Sequence, residues 1–381
     1  MRRVLWLVGS GILALAVLVA FRGTAAASDT SADCTQVDGF LSFCLNVPTG
    51  GVRRETTVPL VVLPSQRADV RVEVTVPGSD ALAVAAGVDR SVERVETLFG
   101  RTFNARPRVL LFGTNDSFAT GAAQLFGYSS DTAAYVASTY GGIFDRGTST
   151  IAVNWASAGH DRMSAAIEHE LTHLMIREVT RGNDIPVWLD EGIATLVEEG
   201  APGAAAWNDG ADLTGRAIAA SHTVAFAQLS TLADFHASYA RVGRPLYEFT
   251  ADAVRTMEQR ISWSGVVRTL DAVGSGYPFE VAYRSVSGES VDALEARLGA
   301  TASAITIGAA DAKGNVTWTL VTGAPLSEVR VRIAGGASYS LTFTVTTDAF
   351  GIYRGSFGST AAPGAYVVSA AGATASFSTV R

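Results

Sequence analysis

Between positions 168 and 173 the chain reads Glu-His-Glu-Leu-Thr-His, and this hexapeptide constrains the fold more than any other stretch. Around it, residues 161–180 place Ile167, Leu171, Leu174 and Met175 on one stripe, and Gly182 follows as a stop. That spacing predicts a helix. On a helix, His169 and His173 stand at i and i+4 and project from one face. Two imidazoles one turn apart can share a tetrahedral zinc ion. Glu170, between them, is then placed to take a proton from a metal-bound water. The alternative is an ordinary amphipathic helix with two solvated histidines.

Zinc that works on a substrate usually keeps three protein ligands and one open position. The stretch Pro186-Val187-Trp188-Leu189-Asp190-Glu191-Gly192-Ile193-Ala194 supplies a third ligand in Glu191. The chain from His173 is long enough for the first helix to finish, turn between Gly182 and Pro186, and send a second helix (187–199) back past the metal. Gly192 and Ala194 would let the two helices approach closely. Asp190 is the fallback ligand. On the other reading, Asp190 and Glu191 are first-turn acids that complement a helix dipole.

The pairing of His-Glu-Leu-Thr-His with a downstream Pro-x-Trp-Leu-x-Glu-Gly-x-Ala resembles the gluzincin metallopeptidases, especially the peptidase MA-like group. The resemblance covers roughly residues 66–299. It implies an α+β fold: a thermolysin-like zincin core, with a small mixed sheet above the metal and a helical subdomain below. It also implies that His169, His173 and Glu191 hold Zn2+, that Glu170 is the general base, and that the substrate is a peptide or protein. The metzincin pattern is not met, because Ile176 and Val179 stand where that family needs Gly and His. No Gly-x-Met-Glu-Asn segment precedes the helix, which disfavours the aminopeptidase branch.

The sequence departs from thermolysin-like enzymes at one support position. Those enzymes carry an Asp four residues after the ligand Glu; here that place is Thr195. The oxyanion-stabilising donor is not fixed by motif either. Tyr239 is the first candidate by similarity of its segment, with Tyr247, His222 and His236 as alternatives. The stretch before the zinc helix, through Ala152, Val153 and Asn154, is expected to be the edge strand that binds substrate backbone.

The flanks of this core are distinct. Arg2 and Arg3, an apolar run from Val4 to Phe21 and Ala25-Ala26-Ala27 have the pattern of a secretory signal. The run is long enough to remain as a membrane anchor instead. Either way the expected location is secreted or surface-anchored. Loss of residues 1–27 would take the 29 basic residues to 26 against 36 acidic ones. So acidic a chain, with Lys313 its only lysine, is a poor nucleic-acid binder. Cys34 and Cys44 are expected to close a local disulfide in an oxidising compartment, within an irregular arm over residues 28–65.

Along the rest of the chain, strands are predicted at 66–76, 108–112, 133–140 and 149–155. Helices are predicted at 80–99 and 115–126, the latter capped by Asn115 or Asp116. Residues 201–216 read as a loop, and further helices follow at 246–259, 264–273 and 290–298. From about 302 to 381 the chain turns rich in Gly, Ser, Thr and Val, with short strands at 315–321, 328–334, 339–346, 352–357 and 365–370. That pattern suggests a β-sandwich of Ig-like type, which could bind a surface component. A competing function follows: an extracellular binding or adhesion protein whose zinc domain is vestigial.

Overall fold

The computed structural model describes residues 54–146, 149–200, 218, 224–301, 304–310, 315–322, 324, 326–335, 339–348, 351–357 and 364–379, with the backbone of two short N-terminal strands. Those strands, β1 (Cys34–Val37) and β2 (Leu41–Cys44), pair antiparallel with Cys34 opposite Cys44. The expected signal (residues 1–27), the 201–216 loop, His222 and the cysteine side chains lie outside the described residues. No described helix is long and apolar enough to cross a membrane.

The chain is mixed α and β, with an open sheet followed by further sheets. The open sheet comprises β3 (Leu60–Leu63), β4 (Asp69–Glu73), β5 (Arg108–Phe112), β6 (Gly142–Asp145) and β7 (Thr150–Asn154), in the order β3-β4-β5-β7-β6. The three central strands run parallel, while β3 and β6 pair antiparallel at the two edges. Strands β5 and β7 are buried along their whole length. Their apolar run reflects cover on both faces. Val109, Leu111, Ile151 and Val153 face the main core with α1 (Gly78–Phe99) and α4 (Trp155–Val179). Leu110, Phe112 and Ala152 face a second cluster with α2 (Asn115–Phe126) and α3 (Ser130–Thr139).

Four expectations need correction. Residues 133–139 are helical, not extended, and Tyr140 follows as the C-cap. Ser129 accepts a hydrogen bond from the Thr132 N–H as an N-cap, and Ala133, Val136 and Ala137 bury one helical face. Helix α2 is capped one residue earlier than expected, by Thr114, in a reciprocal box with Ser117. The sheet reaches back into the segment read as an arm, because Leu60–Leu63 pairs with β4. Finally, β7 is an interior strand bonded on both sides. Ala152, Val153 and Asn154 are fully buried and cannot receive a substrate strand; the free edge on that side belongs to β6.

The helical part follows: α5 (Val187–Glu199), α6 (Leu232–Val242), α7 (Pro245–Gly274, interrupted at Ser262), α8 (Phe279–Ser287) and α9 (Val291–Thr301). The last portion has two sheets, one in the order β11 (Tyr339–Thr346), β10 (Glu328–Gly335), β13 (Gly364–Ala370), β14 (Ala373–Thr379). The other has the order β12 (Ile352–Phe357), β9 (Val316–Val321), β8 (Ala304–Ala310). Trp318, Leu320 and Phe357 of one sheet and Val331, Tyr366, Val368 and Phe377 of the other form one core, which makes the pair a sandwich.

Candidate metal centre

Helix α4 carries the hexapeptide. Its buried stripe is Ile167, Leu171, Leu174 and Met175, so the opposite face, with His169 and His173, turns away from that core. The helix ends as its punctuation predicts. Arg181 and Gly182 adopt positive φ, and their N–H groups bond back to the carbonyls of Glu178 and Arg177. The chain then reverses, and α5 runs antiparallel to α4. Gly192 permits this approach to the helical layer, since a Cβ there would collide with the Thr250 carbonyl of α7.

Glu191 arrives between the two histidines. Its Oε2 lies 3.4 Å from His169 Nε2 and 3.6 Å from His173 Nε2. One donor atom from each of the three residues falls within 4.8 Å of the others, so a single small cation can touch all three. The predicted ligand set is therefore brought together in space. Asp190, the fallback ligand, does something else: its Oδ1 accepts from His173 Nδ1 at 2.8 Å. Glu198 does the same for His169 Nδ1 at 2.9 Å. Carboxylates on the far nitrogens fix each ring's orientation and leave both Nε2 lone pairs aimed at the shared point.

The two carboxylates are themselves held. Arg146 donates to Asp190 Oδ2 at 2.7 Å, and Arg244 donates to Glu198 Oε1 at 3.5 Å. Behind the helix, buried Glu168 accepts from Arg94 and Ser91. The carboxylate behind His169 comes from Glu198, seven residues after Glu191, and not from the position of Thr195. Two turns further along the same helical face, it supplies the same kind of support.

Glu170 is 7% exposed. Burial pushes its carboxyl up to about 7, against the opposing pull of His169 and His173. Burial also opposes charge on His169, yet Glu191 and Glu198 more than offset it and bring that imidazole up to about 9. His173 is likewise raised, by Asp190 and Glu191 against burial. Glu191 is held low despite burial, chiefly by His173. The field at the Nε2 face therefore favours positive charge, whether a proton or a metal ion. Two nitrogens, one carboxylate oxygen and carboxylate-backed imidazoles form a donor set that fits Zn2+.

Edge strand β6 stands against this cluster. A Cβ added at Gly142 would lie 2.9 Å from both Cγ and Oε1 of Glu170. Aromatic residues close the other side. The Tyr247 ring packs on His169 with centroids 6.2 Å apart, and Tyr239 packs on Tyr247 at 5.7 Å. Burial, then the charge of Glu191, raises the Tyr247 hydroxyl well above its ordinary value. Burial also raises Tyr239. Tyr247 packs on the His169 ring itself, and Tyr239 stands one ring behind it. Tyr140 bonds to His236 Nδ1 at 3.1 Å.

Sequence reading missed Glu198, Arg146, Arg244, Gly142 and Tyr140. Only Glu198 left a usable signal, its helical spacing from Glu191. Asn154, expected at the substrate edge, donates to Asn115 Oδ1 and the Ala137 carbonyl and serves the fold. No family model matches the chain, and no curated protein matches it.

Proposed function

We propose that this chain is a zinc-dependent peptidase with a thermolysin-like, gluzincin-type core. The observation that carries the reading is the convergence of His169 Nε2 and His173 Nε2 on one oxygen of Glu191, with each Nδ1 on a carboxylate and Glu170 buried alongside. Bound there, zinc would supply a Lewis acid and bring its water toward a pKa of about 7. His169, His173 and Glu191 would hold it. Glu170, whose raised proton affinity suits the task, takes the proton of the attacking water and delivers it to the leaving amine. Tyr247, kept neutral by its surroundings, is the better-placed hydroxyl to meet the developing oxyanion; Tyr239 supports its ring.

On this reading the N-terminal segment exports the enzyme or anchors it at the surface. The β-sandwich, Ig-like in its strand pattern, binds a surface component. The substrate backbone docks on β6, the edge strand of the sheet beside Glu170.

The test is elemental analysis of purified protein together with digestion of a fluorogenic peptide library with and without chelator. Zinc at one equivalent and chelator-sensitive cleavage are expected. E170Q should keep its zinc and lose at least about 10²-fold in turnover. A protein that binds no zinc, or an E170Q variant that still cleaves, refutes the assignment.

A further inference from the structure

Arg146 sits at the exit of edge strand β6, just past Asp145. Its guanidinium crosses to the start of α5 and bonds Asp190 Oδ2 at 2.7 Å. The other oxygen of that carboxylate accepts from His173 Nδ1, and His173 Nε2 faces the shared ligand point. Arg146, Asp190 and His173 therefore form one relay from the sheet edge to the metal position. At its opposite end the same strand meets the site again, where Gly142 abuts Glu170. A four-residue strand is thus tied at one end to the base and at the other to a ligand histidine.

We infer that Arg146 is a positioning residue: it fixes Asp190, and through it the His173 ring, so that the placement of strand β6 and the geometry of the metal ligands are set together. This rests on the zinc peptidase reading. The contact is directional as well as electrostatic. One nitrogen of the planar guanidinium fork reaches Asp190, and a second lies 3.6 Å from Asp184. Asp184 is 94% exposed, so that second contact is weak. Asp190 is 7% exposed, and Arg146 holds the carboxylate oxygen that does not bond His173.

The sign of the effect separates orientation from charge. Removing a cation near a metal site would by itself tighten metal binding, because like charges repel. Losing the fixed orientation of a carboxylate behind a ligand histidine weakens it, by about 10-fold or more. Arg146 is 42% exposed, so its replacement should not unfold the chain.

The experiment measures Zn2+ affinity by competition with a chromophoric chelator, and the visible spectrum of the Co2+-loaded protein. Wild type, R146Q, R146K and D184N are compared. R146Q should bind Zn2+ about 10-fold more weakly than wild type, with an altered Co2+ spectrum and an apo-protein that still melts cooperatively as a folded chain. R146K, which keeps the charge without the fork, should fall between, and D184N should match wild type. Unchanged or tighter binding in R146Q overturns the inference while leaving the peptidase reading intact. A wild-type protein that binds neither metal overturns that reading, and the inference with it.

Discussion

On the peptidase reading, Gly142 offers a perturbation aimed at the base, because the three atoms nearest to a methyl there all belong to Glu170. Its φ lies outside the left-handed region, so alanine enters without backbone strain. The methyl carbon would stand 2.9 Å from Glu170 Cγ and Oε1, and the Glu170 Cδ is the third-nearest atom at 3.3 Å. Ordinary contact begins near 3.4 Å, so the carboxylate must retreat by roughly half an ångström or more. Being buried, it has little room to do so without turning. A general base works within about 2.6–3.2 Å of the proton it takes, and a misplacement of about 1 Å can cost about 10²-fold. G142A should therefore lose about 10- to 100-fold in kcat/KM, equivalent to about 1.4–2.7 kcal/mol of transition-state stabilisation. The loss should fall on kcat, because Glu170 acts in the transition state. Zinc content should not change, since no atom of His169, His173 or Glu191 is among the nearest neighbours of the new methyl. The assay is steady-state cleavage of a fluorogenic peptide with parallel elemental analysis. A zinc-replete G142A enzyme within about threefold of wild type would refute the argument that this glycine exists to make room for the base.

E198A should weaken Zn2+ about 10- to 100-fold in chelator competition, because His169 loses the carboxylate on its Nδ1. N154A should act on the fold. Leaving the buried Ala137 carbonyl without its donor costs about 1–3 kcal/mol in denaturant unfolding, while KM for a cleaved peptide stays at the wild-type value.

The parts of this molecule that were legible in the sequence are those set by local periodicity and punctuation. The apolar stripe of α4 survives folding, with Ile167, Leu171 and Met175 buried; on α1, where Leu82, Val88, Val92, Val95 and Leu98 share the expected face, the three valines are buried but Leu82 is exposed. Arg181-Gly182 and Pro186 end one helix and start the next where the chain says they should. Two readings around the sheet went wrong for nonlocal reasons: the edge position given to 149–155, which is a strand as expected, and the extended conformation given to 133–140. Whether a strand is interior or at an edge depends on pairing order, and nothing within Thr150–Asn154 records that Gly142–Asp145 adds outside it. Residues 133–140 mix Ala, Tyr and Val in a way that fits either period. The Ser129 cap and a cover for Phe112 and Leu125 decide it for the helix.

The supporting acids of the candidate metal centre were hard to place from sequence for a geometrical reason that the structure makes simple. Helices α4 and α5 run antiparallel, so moving back along one means moving forward along the other. His173 therefore meets Asp190, near the start of α5, while His169, four residues earlier, meets Glu198 near its end. Glu191 lies on the same strip and reaches both rings. At about 1.5 Å per residue the two histidines are about 6 Å apart along their axis, and the two supporting acids about 12 Å apart along theirs. An equal step of four from Asp190 would have put the support at Ala194, beside Thr195. The step on α5 is twice as long, and the longer glutamate side chain at its far end reaches His169 Nδ1 at 2.9 Å. A four-residue spacing rule therefore names a position with no acid, and the contact itself identifies Glu198.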